Sequence, residues 1–297
     1  MLGRPQAGRR FFNMAATFTL TASCPDQVGI IAAVSGFIAQ SGASITEASQ
    51  HSDPVTGHFF MRYEISAENL PFDKAGFQDA LRPLAERFGM DWAVSSSATP
   101  CRVLALVSKQ DHCLADLLYR WRRQDFAFDL VGVVSNHEDL RQNVEQLGLP
   151  YHHVPVTPEG RAAAFERIEQ LFEDTRADVM VLARYMQILP AALCARLSGR
   201  IINIHHSFLP SFVGANPYRQ AYERGVKIIG ATCHYVTEEL DAGPIIEQDV
   251  MRVHHGDSVE RMIALGRDVE RAVLARGLRY HVQDRVLVHG NKTVVFP

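Results

Sequence analysis

Apolar and polar positions along the chain follow two different regimes. In the first, Thr17-Phe-Thr-Leu-Thr-Ala22 alternates with a period of two and reads as a strand. Cys24-Pro-Asp-Gln-Val-Gly29 turns into a helix with Pro25 and Asp26 near its start, and Ile30, Val34, Phe37 and Ile38 recur at helical spacing as far as Gln40. Ser41-Gly42 stops that helix. Residues 43–51 and 58–65 read as strands around a turn at 53–57. A helix over 72–88 gathers Phe77, Leu81, Leu84 and Phe88 on one face, and a strand over 91–95 closes the unit. The order βαββαβ predicts a ferredoxin-like fold. The polar stretch Ser95-Ser-Ser-Ala-Thr-Pro100 marks a boundary, giving a first domain at 15–95, a linker at 96–100 and a second domain at 101–297.

From residue 101 strands and helices alternate, which predicts an α/β, Rossmann-like and mostly parallel sheet with helices on both faces. Strands are predicted at 102–107, 129–134, 151–154 and 179–182, and helices at 111–124, 138–147, 158–175 and 189–197. Two further apolar runs follow, Ile201-Ile-Asn-Ile-His205 and Ile228-Ile-Gly-Ala-Thr-Cys-His-Tyr-Val236. Asp257-Ser258 caps a long helix whose packed face carries Met262, Leu265, Val269, Val273 and Leu274. A hairpin, 285–289 and 293–296 around Gly290-Asn291, ends the chain.

The candidate chemistry sits at the ends of those two apolar runs. Successive strand side chains alternate faces, so Asn203 and His205 point the same way, at the kind of strand end where α/β proteins bind ligands. The second run leads into Thr237-Glu-Glu-Leu-Asp-Ala-Gly-Pro244, which holds Asp241 just before a Gly-Pro turn. An amide and an imidazole can stabilise an oxyanion, and a carboxylate can activate a nucleophile, so the set suits attack on a carbonyl or formyl carbon. Spacing alone leaves open a structural hydrogen-bonding role for Asn203 and His205.

Composition narrows the field without deciding it. The 297 residues are 47% hydrophobic and 21% charged, with a formal net charge of -3, which gives no basic field for nucleic acid or an anionic membrane. No apolar run approaches the ~20 residues that span a bilayer. Five scattered cysteines with no Cys-x-x-Cys pair predict reduced thiols and a cytoplasmic protein. Residues 1–14 carry Arg4, Arg9 and Arg10 but no apolar stretch of a secretory signal, and are expected to be a disordered leader, with Met14 as an alternative initiator.

Asn203-Ile-His205, Ser207-Phe-Leu-Pro210 and Leu240-Asp241-x-Gly-Pro244 resemble, in order and spacing, the signature of the folate-dependent formyltransferase family. The resemblance runs from near Cys101 to the end of the sequence. The His205-His206 doublet and Gly225-Val-Lys-Ile-Ile-Gly-Ala-Thr232 resemble the branch of that family that delivers the formyl group to water. It implies Asn203, His205 and Asp241 as catalytic residues and hydrolysis of 10-formyltetrahydrofolate to tetrahydrofolate and formate. Arg184, Met186, Gln187, Leu189, His206, Val236 and Leu240 match its folate-binding stretches. The resemblance thus implies a folate substrate, no tightly bound cofactor and no metal. The front domain, with Pro25-Asp-Gln-Val-Gly-Ile30, resembles an ACT domain. That implies an amino-acid effector at Asp26, Gln27, Val28 and Gly29, and a homo-oligomer, dimer or tetramer.

Two alternatives stay open. One is formyl transfer to an amine; the turn Ser108-Lys-Gln-Asp-His-Cys113 speaks against it, since it lacks the glycines with which relatives that use a phosphorylated amine cradle phosphate. A tRNA acceptor is disfavoured by the lack of a basic C-terminal extension. The other alternative is an amino-acid-binding regulatory protein with a non-catalytic core. The doublets His152-His153, His205-His206 and His254-His255 lack metal-site spacing, and on a strand His206 should face away from His205. His234 reads as a satisfied core histidine, Cys233 as an inert apolar thiol, and Arg120–Arg123 and Arg267–Arg271 as solvated helix faces.

Overall fold

A computed structural model describes residues 16–211 and 217–297, and the expected leader lies outside the described residues. The chain divides into two compact units between Thr99 and Pro100. The first holds β1 (Thr17–Pro25), α1 (Ile30–Gln40), β2 (Ile45–Asp53), β3 (His58–Ser66), α2 (Lys74–Phe88) and β4 (Asp91–Ser96). Its strands pair antiparallel in the order β2-β3-β1-β4, the ferredoxin-like arrangement. Leu20, Ile30, Val34, Ile38, Phe77 and Leu81 fill its core, so the two helical stripes read from the sequence meet the inward side of β1.

The largest boundary difference lies between β1 and α1. The strand continues to Pro25, and α1 starts only at Ile30, after Gly29 takes a left-handed φ of 96°. Cys24 explains the extension: it is buried on the same face as Leu20 and Ala22, so the two-residue period outlasts the proline signal. Asp73 caps α2 by accepting from the Gly76 N–H at 2.9 Å.

The second unit continues with β5 (Cys101–Val107), α3 (His112–Arg123), β6 (Phe128–Ser135), α4 (Arg141–Glu145), β7 (Tyr151–His153), α5 (Arg161–Asp174), β8 (Val179–Leu182), α6 (Ala191–Arg196) and β9 (Ile201–His205). It closes with α7 (Pro217–Arg224), β10 (Ile228–Tyr235), β11 (Ile245–Arg252), α8 (Val259–Val282), β12 (Val286–His289) and β13 (Lys292–Val295). The sheet runs β11-β10-β9-β8-β5-β6-β7, parallel from β9 to β7 and antiparallel at β10 and β11. Neither β11 nor α7 is evident in the sequence pattern. β11 mixes Glu247, Gln248 and Asp249 into an edge strand, where one face need not be apolar.

Alternation along the central strands builds a core on each face. Val103, Ala105, Ile202, Ile204 and Cys233 face α3 and α8; Leu104, Leu106, Met180, Leu182 and Ile201 face α5 and α6. Because chain order reverses direction at β5, whose neighbours are β6 and β8, a crevice opens beyond those strand ends.

Candidate active site

A cavity of about 640 Å³ occupies that crevice. Strand alternation places Asn203 and His205 on the Ile201 side of β9, and the antiparallel register sets His234 opposite Asn203 and Thr232 opposite His205. The loop after β10 folds back over this face. It is pinned by the Tyr235 N–H donating to the Pro244 carbonyl at 2.9 Å and by Asn291 Nδ2 donating to the Ala242 carbonyl at 3.0 Å. Gly243 lies so close to the Tyr235 carbonyl that any Cβ would collide with it.

The loop brings Asp241 Oδ1 to 3.3 Å from His205 Nδ1 and 3.8 Å from His234 Nε2. Burial raises the Asp241 carboxyl, but the hydrogen bond and field of His205, with His234 and His206, outweigh it and hold the group below its ordinary 3.8. Asp241 is therefore a carboxylate at neutral pH. His205 is buried, and its Nε2 has no protein partner.

His234 is a buried, satisfied histidine, as the sequence suggests, and it has a second role. Its Nδ1–H donates to the Tyr235 carbonyl at 2.8 Å, as a core histidine's would, but its Nε2 is 3.2 Å from Asn203 Nδ2 and lines the cavity. With Nδ1 carrying the proton, Nε2 can only accept, so Asn203 presents its NH2 group there and keeps the second N–H for a ligand. Burial lowers the His234 pKa, which keeps this tautomer neutral. The strand register, pairing 234 with 203, was the signal that could have found it.

His206 reaches the cavity as well. The strand stops at His205, so the alternation rule no longer applies, and the two imidazole centroids lie 5.3 Å apart. His206 lines the cavity, and burial, then the Arg184 charge, push its pKa down to about 4. Met186, Gln187, Leu189, Val236 and Leu240 also line it; Met186 and Leu240 are more than half exposed, an apolar rim for a ligand. The glycine-free turn after β5 helps to hold that rim. Ser108 Oγ accepts the Met186 N–H at 3.0 Å and donates to Asn136 Oδ1 at 2.7 Å.

Arg184 lines the same cavity and approaches Glu270 Oε2 at 3.4 Å. Glu270 went unrecognised because Arg267–Arg271 reads as a solvated face, yet Glu270 is 1% exposed. Gly266, Glu270, Val273 and Gly277 share the inward stripe of α8, and that spacing was the available signal. The ligand atoms of His112, Cys113 and Glu270 lie within 4.8 Å of one another, but the Arg184 guanidinium already supplies positive charge there, and burial holds the Cys113 thiol well above its usual pKa. The Cys233 thiol is likewise pushed up by complete burial, and all five cysteines are free.

Asp26, Gln27, Val28 and Gly29 form the β1–α1 turn of the first unit. The Asp26 N–H donates to the Gly57 carbonyl at 2.8 Å, and the Val28 side chain stands in solvent.

A family model described as Formyl transferase matches residues 101–278, and one described as ACT domain matches residues 18–71. A formyltetrahydrofolate deformylase of Bacillus subtilis (strain 168) is 48% identical over 278 residues, covering 93% of this chain and 93% of that protein. The chain belongs to the formyltetrahydrofolate deformylase family. A crystal structure from that family, of the Pseudomonas syringae pv. tomato str. DC3000 protein, is 59% identical, with a TM-score of 0.94 over 97% of this chain and 96% of that one. Glycinamide ribonucleotide transformylase 1 from Symbiobacterium toebii gives a TM-score of 0.62 at 27% identity over 67% of this chain and 95% of that one. Among the described residues, no helix is long and apolar enough to cross a membrane.

Proposed function

We propose that this chain hydrolyses 10-formyltetrahydrofolate to tetrahydrofolate and formate, with Asn203, His205 and Asp241 as its catalytic residues. The observation that carries the reading is the convergence of those three side chains, with His205 and Asp241 at 3.3 Å, in one cavity rimmed by apolar residues. The pterin lies against Met186, Gln187, Leu189, Val236 and Leu240, which places the formyl carbon beside β9. Asp241 takes a proton from water as the water oxygen bonds to that carbon. The oxyanion receives the free Asn203 N–H and the Nε2–H of His205, whose Nδ1 stands 3.3 Å from Asp241. Collapse breaks the C–N bond; the folate nitrogen takes the proton and formate leaves. His206, neutral at pH 7, accepts a hydrogen bond from the water.

In the first unit, the turn at Asp26, Gln27, Val28 and Gly29 binds an amino acid that tunes the rate, and the chain acts in the cytoplasm as a homo-oligomer. The family-model match to an ACT domain and the five free thiols support these readings. Calorimetry with glycine and methionine at millimolar concentration tests the effector; heats no larger than dilution would remove it.

The activity is tested by quantifying formate and tetrahydrofolate released by the full-length protein, with no amine present, beside Asp241→Asn. Equal amounts of both products from wild type alone are expected. Near-normal turnover by a folded Asp241→Asn would show that the base is misassigned, and no formate from wild type would refute the hydrolase.

A further inference from the structure

His205 and His206 are adjacent in the chain, yet both line the cavity, whereas in a continuing strand they would face opposite sides. The cause lies one strand away. β9 makes its last ladder pair at His205, opposite Thr232 of β10, and the chain then turns through residues 206–211. Leaving the ladder strips that turn of strand partners, and one buried hydroxyl replaces them. Thr232 Oγ1 donates to the Ser207 carbonyl at 2.9 Å and accepts the Leu209 N–H at 3.0 Å. Gln248 of β11, opposite Thr232 in the register, donates through Nε2 to Thr232 Oγ1 at 2.9 Å and to the Leu209 carbonyl at 3.1 Å. The hydroxyl proton, both of its oxygen's lone pairs and both amide protons are thus engaged. Thr232 is fully buried, and it and Gln248 stand behind the cavity wall rather than in it.

We propose that Thr232 and Gln248 are positioning residues, which hold the turn after β9 so that His206 joins His205 at the reacting end of the cavity. The inference rests on the hydrolase reading and says what places its second histidine. The His206 ring lies 5.3 Å from that of His205 and 6.3 Å from that of Tyr218. Beyond it the Tyr218 hydroxyl donates to Glu270 Oε1 at 2.6 Å, and His112 Nε2 stands 2.8 Å from Glu270 Oε2. Among the described residues the His206 ring has these neighbours but no hydrogen-bonding partner, so the backbone of the turn sets its direction. That backbone is what Thr232 and Gln248 bind. A threonine that only filled the core would lose nothing in turnover on becoming valine; this one supplies bonds to the segment that carries His206.

The test compares full-length Thr232→Val, Thr232→Ser and Gln248→Met with wild type in formate release from 10-formyltetrahydrofolate. The histidine Cε1–H resonances of each protein are titrated by NMR, with His206→Asn identifying the His206 signal. Burial, Arg184 and His205 lower the His206 pKa to about 4, against Glu270 and Asp241, which raise it. In Thr232→Val, which removes the hydroxyl at nearly constant shape, kcat should fall about tenfold with KM for the folate within about twofold. The His206 pKa should move up towards 6.5 as the ring leaves its place. Thr232→Ser keeps the hydroxyl and should return kcat to within about twofold of wild type, and Gln248→Met should lose about threefold. Gln248→Met decides the matter should Thr232→Val fail to fold. Wild-type kcat in the folded variant, a loss carried by KM, a loss shared by Thr232→Ser, or a His206 titration that does not move would overturn the proposal. A wild type that releases no formate defeats the hydrolase reading alone, because the His206 titration still reports where the ring is held.

Discussion

Asp241 and Glu270 are two carboxylates lining one cavity, and they are held in opposite ways. Asp241 sits in a loop, at 3.3 and 3.8 Å from two imidazoles. Glu270 sits in a 24-residue helix with hydrogen bonds at 2.8 and 2.6 Å and an arginine beside them. The first is loosely satisfied and can take a proton; the second carries a short hydrogen bond on each oxygen, and its charge holds those neighbours in place. Burial of a carboxylate therefore says little about its role until its donors are counted.

The largest test of this contrast crosses the two sites. Asp241→Asn should lower kcat by about a thousandfold, the range of a lost general base, and cost less than about 1 kcal/mol, because Asn tolerates left-handed backbone. Glu270→Gln should lose only about tenfold in kcat but about 3 kcal/mol in stability, as expected when a buried charge network is broken. Turnover and urea midpoints would check both, and equal kinetic losses would collapse the distinction.

Acid probes the residue between the carboxylates. The His206 pKa falls from 6.5 to about 4 in the folded protein, so the unfolded chain binds an extra proton between those values. Stability should thus fall as pH drops from 6.5 towards 4, by up to about 3 kcal/mol from this residue. His281, lowered to about 4 by burial, adds a loss of the same sign. Replacing His206 with Asn should flatten the pH dependence of the urea midpoint without abolishing it.

Smaller effects sharpen the picture. Gly266→Ala should cost about 1–3 kcal/mol by overpacking against Tyr218, and its kinetic defect should follow Tyr218→Phe, not Asp241→Asn. Ser108→Ala should cost about 1 kcal/mol and raise KM for the folate severalfold with kcat preserved, since it frees the Met186 N–H on the binding rim. A fall in kcat at constant KM would place Ser108 in the chemistry instead.

Asn203, His205 and Asp241 were legible because their order and spacing resemble a known signature; an amide and an imidazole two apart on an apolar strand leave a structural role open by themselves. The helices other than α7, and the parallel strands, were legible from their periods. What escaped depends on pairing across the sheet. His234 reaches the cavity because antiparallel register sets it opposite Asn203, and no local pattern states that register. Glu270 looked solvated beside Arg267, Asp268 and Arg271; its partners come from α3, α7 and the loop after β8. β11 was hidden because an edge strand needs no clean apolar alternation.

Arg184 and Asp241 share one further property: neither is glycine, yet both have left-handed backbone, with φ of 66° and 55°. Such conformations cost on the order of 1 kcal/mol or more each, held in place by the surrounding fold. At Asp241, glycine or asparagine would relieve that strain, whereas at Arg184 the same change would leave the buried Glu270 carboxylate without its neighbouring charge. Selection for heat tolerance alone would therefore press on position 241 and remove the Asp241 carboxylate from the cavity, so directed evolution of this scaffold must score turnover in every round.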